Sequence, residues 1–321
     1  MMDRAHASND TARAASETLR LELARGDAML AGVGPILGHL LSAPDYSLFS
    51  DEIVARVRGM LAHLARQVLR MQAEATGQTG RDAFVERHGA ALSEHFQASP
   101  ALLAHCHALA LEWQLTERLE AENGLDPVLS PLLQKMIADD ESATSSSAMA
   151  ALAAQARFTQ SQRRMELPLN ELPGDLLHKT LRAWRRYCGE TSSEAVDRAE
   201  SKMRHAYDES AGRLALFARL VAGPGARSAL LLDKAGAGLF FSALSVHSGQ
   251  PREFAVLSSH ARQTVRLALG LRASGIEPRR IDELLLRLHP GAAPFAGLED
   301  IDEDAARGML LDAVQVLERG A

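Results

Sequence analysis

The chain is predicted to be all-α, and three observations carry that reading. First, 46% of its 321 residues are hydrophobic but only 4% are aromatic, so the core material is Ala, Leu, Val and Met, a helix-forming mixture. Second, alternating β-branched runs, the mark of half-buried strands, are missing. Third, Gly223, Gly249 and Gly275 stand at equal steps of 26 residues, each preceded by a small residue (Ala222, Ser248, Ser274) and followed by a proline (Pro224, Pro251, Pro278). Apolar positions recur six residues before each glycine (Phe217, Ala243, Leu269) and six after it (Ala229, Ala255, Ile281). Turn chemistry at a fixed period with matched apolar positions reads as stacked helical units, none able to bury its face alone.

The length suggests about two domains. A helical part over 1–140 and a helical array over 171–321 are expected, joined by a Ser/Pro-containing connector over 141–170 with a crossing helix, Ala148 to Arg164. Along the first part, Met1 to Asn9 reads as a polar tail. Ser16 to Arg25 and the glycine-weakened Ala28 to Leu41 follow. Ser50, with Asp51 and Glu52 behind it, is placed to cap a long helix. On that helix Ile53, Val57, Met60, Leu61, Leu64 and Val68 form one stripe, with Arg56, Arg66 and Arg70 on other faces. Arg81 to Phe96 is a second helix. Ser99 and Pro100 start a third, which runs to Gly124, and Pro127 opens a fourth.

Beyond the connector, Asp175 to Tyr187 is helical, and Ser192 to Val221 is broken near Gly212. In the array, Pro251 starts a helix through Phe254 and Leu257, and another carries Val265, Ala268, Leu269 and Leu271. From Pro278 the stripe Ile281, Leu284, Leu285 and Leu288 falls at i, i+3, i+4 and i+7. A last helix is led by Glu299, Asp300, Asp302, Glu303 and Asp304.

The run Leu230 to Leu244 (LLLDKAGAGLFFSAL), with Ser248-Gly249-Gln250-Pro251-Arg252-Glu253 and Ala273-Ser274-Gly275-Ile276, resembles the C-terminal part of a bacterial family catalogued as domain of unknown function (DUF) 2336. Ser50 to Arg58 and Arg163 to Pro173 are consistent with the same group. The resemblance implies HEAT-type helical repeats and supplies no catalytic residues.

A net charge of −6, from 35 basic and 41 acidic residues, argues against general nucleic-acid binding. Two cysteines, Cys106 and Cys188, make neither a disulfide framework nor a metal site, which points to a reducing compartment. With no apolar signal segment and no run long enough to span a bilayer, a cytoplasmic location is expected.

Each chemical candidate has a plainer explanation. His105 and His107 flank Cys106 but point about 200° apart on a helix, so the expectation is a buried Cys106 between two partly exposed imidazoles. His88 and His95 share a helical face without a third ligand. His247 reads as satisfied by a nearby carbonyl rather than as a general base or phospho-acceptor. Gly32/Gly34 and Gly223/Gly225 lack the strand and Lys-Ser/Thr tail of phosphate loops, and Gly236/Gly238, before a helix whose N-terminus could hold an anion, has no strand ahead of it and reads as an inter-helix turn. No nucleophile, base and acid set stands out. No catalytic residue, metal ligand or cofactor is therefore assigned.

The expected function is a non-enzymatic adaptor or scaffold binding another bacterial protein. Arg252, Glu253, Arg279 and Arg280 would lie exposed near the turns, and the N-terminal helices would form a second surface or a homodimer contact. The alternative is a regulator binding acidic lipid or nucleic acid through the basic face Lys179, Arg182, Arg185 and Arg186.

Overall fold

In the computed structural model, described over residues 50–189, 194–223, 226–292, 295 and 297–320 (for 312–320 the backbone only), thirteen α-helices and no strand are present. Residues Met1 to Phe49, with their tail, glycine-weakened stretch and Gly32/Gly34 turn, lie outside this description, as do Pro224 and Gly225. The helices are α1 (Asp51–Ala75), α2 (Arg81–Gln97), α3 (Pro100–Asn123), α4 (Pro131–Ile137), α5 (Ser142–Arg163), α6 (Gly174–Cys188) and α7 (Glu194–His205). They continue with α8 (Arg213–Ala222), α9 (Leu232–Ser248), α10 (Arg252–Leu257), α11 (Thr264–Ala273), α12 (Pro278–Leu288) and α13 (Glu303–Gly320).

Helix α9 is the hub. Leu239, Phe240, Phe241, Ala243 and Leu244 are all buried, so the helix is apolar on every side and needs neighbours all round. It finds them in α3, α4, α8, α10 and α11. Because α3 and α4 precede the 141–170 segment and the others follow it, helices on both sides of that segment share this interior. Helix α5, drawn from the segment itself, packs on α4 and α8. Glu52 to Ala321 forms one compact unit.

The periodic glycines close α8, α9 and α11. Gly249 (φ 75°) and Gly275 (φ 79°) take the left-handed conformation that ends a helix without a Cβ penalty. Gly223 is extended, with φ −88° and ψ −168°. All six matched apolar positions, Phe217, Ala229, Ala243, Ala255, Leu269 and Ile281, are buried. The equal steps hold unequal contents, however. One is filled mainly by α9, the next by α10, a short 3-10 turn and α11.

Several boundaries differ from expectation. The fourth helix begins at Pro131 rather than Pro127, because the Asp126 carboxylate accepts the Val128 and Leu129 amides and holds that stretch as a turn. Ser130 then caps the helix by accepting the Leu133 amide. The connector helix starts earlier, inside the Ser/Thr run at Ser142. The break after α7 spans Ala206 to Gly212, with Asp208 capping a 3-10 turn there. Gly236 (φ 70°, ψ 168°) interrupts α9 near its start.

Arg56 does not decorate an outer face. It is buried, donating to the Gln162 carbonyl at 2.6 Å and to Glu52, with its guanidinium 5.4 Å from the Trp113 ring centroid. With Gln67, which donates to the Leu167 carbonyl and accepts from the Leu169 amide, it fastens α1 to the chain leaving α5.

Candidate functional site

The strongest concentration of polar chemistry lies inside the molecule. Glu112, on α3, is surrounded in sequence by Leu109, Ala110, Leu111, Trp113 and Leu115, and its side chain is 1% exposed. A lone ionised carboxylate there would cost many kcal/mol. Arg213 of α8 answers it with two contacts, Nη1 to Oε1 at 2.6 Å and Nη2 to Oε2 at 3.2 Å. Arg252, the first residue of α10, adds Nη2 to Oε2 at 2.8 Å. Burial pushes the Glu112 carboxyl up, but the two guanidiniums outweigh it and hold it down at about 2. The charge is thus kept, inside the protein.

Arg213 is held on its other sides as well. Its guanidinium carbon lies 3.5 Å from the Phe158 ring centroid and 5.5 Å from that of Phe217, and Nη1 also donates to Gln155 Oε1. Glu171, largely buried, lies close to it; burial raises its carboxyl, with the Arg213 charge and backbone amide opposing. Gly238 of α9 lets the backbone pass this cluster. A Cβ there would sit 2.7 Å from Phe217, 3.0 Å from Glu112 and 3.2 Å from Arg213. Glu112, Arg213 and Arg252 therefore tie α3, α8 and α10 together around α9.

Arg252 is accordingly not exposed at the turn. Its side chain points inward and is 14% exposed. Glu253 is partly buried and faces His105, with 3.4 Å between Oε1 and Nδ1; that contact, ahead of the opposing burial, lowers its carboxyl. His105 is correspondingly buried, not partly exposed, while Cys106 is buried as expected and its thiol is pushed up to about 12 by that burial. Arg279 and Arg280 do stand in solvent on α12.

The basic face of α6 is split. Lys179 pairs with Asp175, and Arg185 with Asp197 and Glu200 of α7. Arg182 and Arg186 are exposed, and neither has an ion-pair partner among the described residues. The opposite face buries Leu177, Leu181 and Trp184. His88 accepts or donates at the Tyr187 hydroxyl, 2.9 Å away, and His95 packs edge-on against the same ring. His247 Nε2 meets the Val221 carbonyl at 3.2 Å, the bland partner the sequence suggested.

A groove of about 800 Å³ between α1, α6 and α7 is lined by Arg70, Met71, Asn170, Leu177, Met203 and Tyr207 among others, with no carboxylate or imidazole in its walls. Among the described residues no three His, Cys, Asp or Glu side chains are placed to hold a metal ion, and no helix is long and apolar enough to cross a membrane.

Sequence reasoning missed the Glu112 cluster. The signal was present: Glu112 is the only acid in the apolar run Ala108 to Leu115, and a helix apolar all round is a buried one. An acid in such a place requires a buried cation, although sequence does not say which. Comparison with protein-family models, curated proteins and solved structures gives no match.

Proposed function

We propose that the protein is a non-enzymatic helical adaptor that binds another protein through the outer faces of its C-terminal helices. The observation that carries the reading is the two-faced character of α12. Ile281, Leu285 and Leu288 are buried, and the helix packs chiefly on α11. Its outer face offers Arg279, Arg280, Glu283, Leu286 and Arg287 to solvent, with Leu286 45% exposed. An array that spends one stripe on its neighbour and leaves the other open has a surface available for a partner.

The interior supports the same reading from the other side. The most buried carboxylate, Glu112, is held by two guanidiniums.

Affinity purification of the tagged protein from its native cells, followed by mass spectrometry, tests the proposal. A near-stoichiometric protein partner, lost on Arg279→Glu/Arg280→Glu, is the expected result. Retention of every partner by that double variant excludes the α12 N-terminal surface, and an empty pull-down excludes the adaptor reading. The second reading, an anionic surface bound by α6, is supported by Arg182 and Arg186 alone, since Lys179 and Arg185 are already engaged. It requires binding to acidic vesicles or nucleic acid that fades with salt.

A further inference from the structure

The other end of the α11–α12 pair is cationic. His289, just past α12, donates from Nε2 to the Ser259 carbonyl at 2.9 Å, which brings the end of α12 against the turn after α10. The next residue, His260, accepts the Arg262 amide at Nδ1. Behind them Arg118 of α3 holds the Leu288 and Arg287 carbonyls, its own charge answered by Glu122.

His260 is held below its ordinary value by burial and then by the charges of His289 and Arg262. His289 is lowered by burial, with Arg118 adding and the Ser259 carbonyl opposing. Arg262 and Arg287 are exposed, and neither has an ion-pair partner among the described residues. Two exposed apolar side chains stand at the same end: Val265 at the start of α11, 55% exposed, and Leu286 near the end of α12.

We propose that this end of the α11–α12 pair docks an acidic segment of a partner protein that also presents a large apolar side chain. The inference rests on the adaptor reading and names the partner's chemistry. Uncompensated guanidiniums beside exposed apolar groups complement carboxylates flanking a Leu, Phe or Met. A nucleic acid would gain nothing from Val265 and Leu286 and would be repelled by the overall charge of −6. A membrane would call for a longer apolar face with outward aromatics.

The test is selection of a phage-displayed random dodecapeptide library on the intact protein at low salt, in parallel with the Arg262→Glu/Arg287→Glu variant. Both side chains are exposed, so thermal melts of the variant should match those of the parent. The parent is expected to enrich peptides with an excess of Asp and Glu beside a large apolar residue. Synthetic copies of those peptides should bind the reversed variant about tenfold more weakly or worse, and Leu286→Ser should also weaken them.

Peptides without acidic excess, or acidic peptides that bind the variant equally well, overturn the inference and leave the adaptor reading standing. No enrichment overturns the inference as well. If phosphatidylserine vesicles or a thymidine oligonucleotide bind in that case, the adaptor reading falls with it.

Discussion

Two regions of this molecule gather positive charge, and they treat it in opposite ways. Around Glu112, two guanidiniums and one carboxylate are withdrawn from water together, the carboxylate held by both guanidiniums and Arg213 lying against the Phe158 ring. At the end of the α11–α12 pair, the exposed Arg262 and Arg287 and the half-buried His260 and His289 have no ion pair among the described residues. Water explains the difference. Where it is excluded, an unpaired charge costs several kcal/mol and the fold must carry its own counter-charge. Where water remains, the charge is tolerated and stays available to something outside.

The largest effect that separates the two regions is expected from Glu112→Gln. It leaves Arg213 and Arg252 facing each other without an anion, and urea unfolding should show a loss of about 3–5 kcal/mol. The same variant should flatten the acid limb of the stability profile. Because the folded carboxyl lies at about 2, below its ordinary 4.5, its contribution is present above pH 4.5 and is lost as pH falls toward 2. A stability equal to that of the parent would mean that the cluster is not the interior tie described here.

Gly238→Ala comes next. The added Cβ meets the Phe217 ring and both members of the Glu112–Arg213 pair, so a loss on the order of 1–3 kcal/mol is expected in the same measurement. Arg185→Ala, at an ion-pair cluster exposed to solvent between α6 and α7, should cost less than about 1 kcal/mol. A larger loss would show that α7 depends on that contact.

The gentlest test is a pH titration of the surface region. His260 and His289 lie below their ordinary values in the folded chain, so the unfolded chain binds more protons between the folded values and about pH 6.5. Stability contributed there is therefore full above pH 6.5 and declines on acidification. His260→Gln/His289→Gln should make the melting temperature less sensitive to pH between about 7 and 5.5. An unchanged slope would mean that burial and the neighbouring charges do not lower the two imidazoles in the folded chain.

Much of the helical architecture was legible in order. The stripe Ile281, Leu284, Leu285 and Leu288 announced α12 because 3.6-residue periodicity is a local property of the backbone, although Leu284 is only half-buried where the other three are buried. Ser99-Pro100 with Gly124 marked both ends of α3 for the same reason, since caps and left-handed turns are written in adjacent residues. The glycine period placed the ends of α8, α9 and α11 but not the number of helices between them. Pro127 misled because the Asp126 carboxylate beside it accepts the Val128 and Leu129 amides and holds that stretch as a turn.

The charged residues were legible only as a count. Arg56, Arg252 and His105 looked like surface groups, yet each turns inward. Glu112 finds its partners 101 and 140 positions away along the chain. By itself the sequence determined that the chain is helical, most of the residues of each apolar stripe, and where most helices stop, because those are decided by spacing and turn chemistry. Only the tertiary structure decided which charges are spent inside and which are left facing out. A charge's fate depends on the dielectric and the partners around it, and those exist only once distant helices have packed.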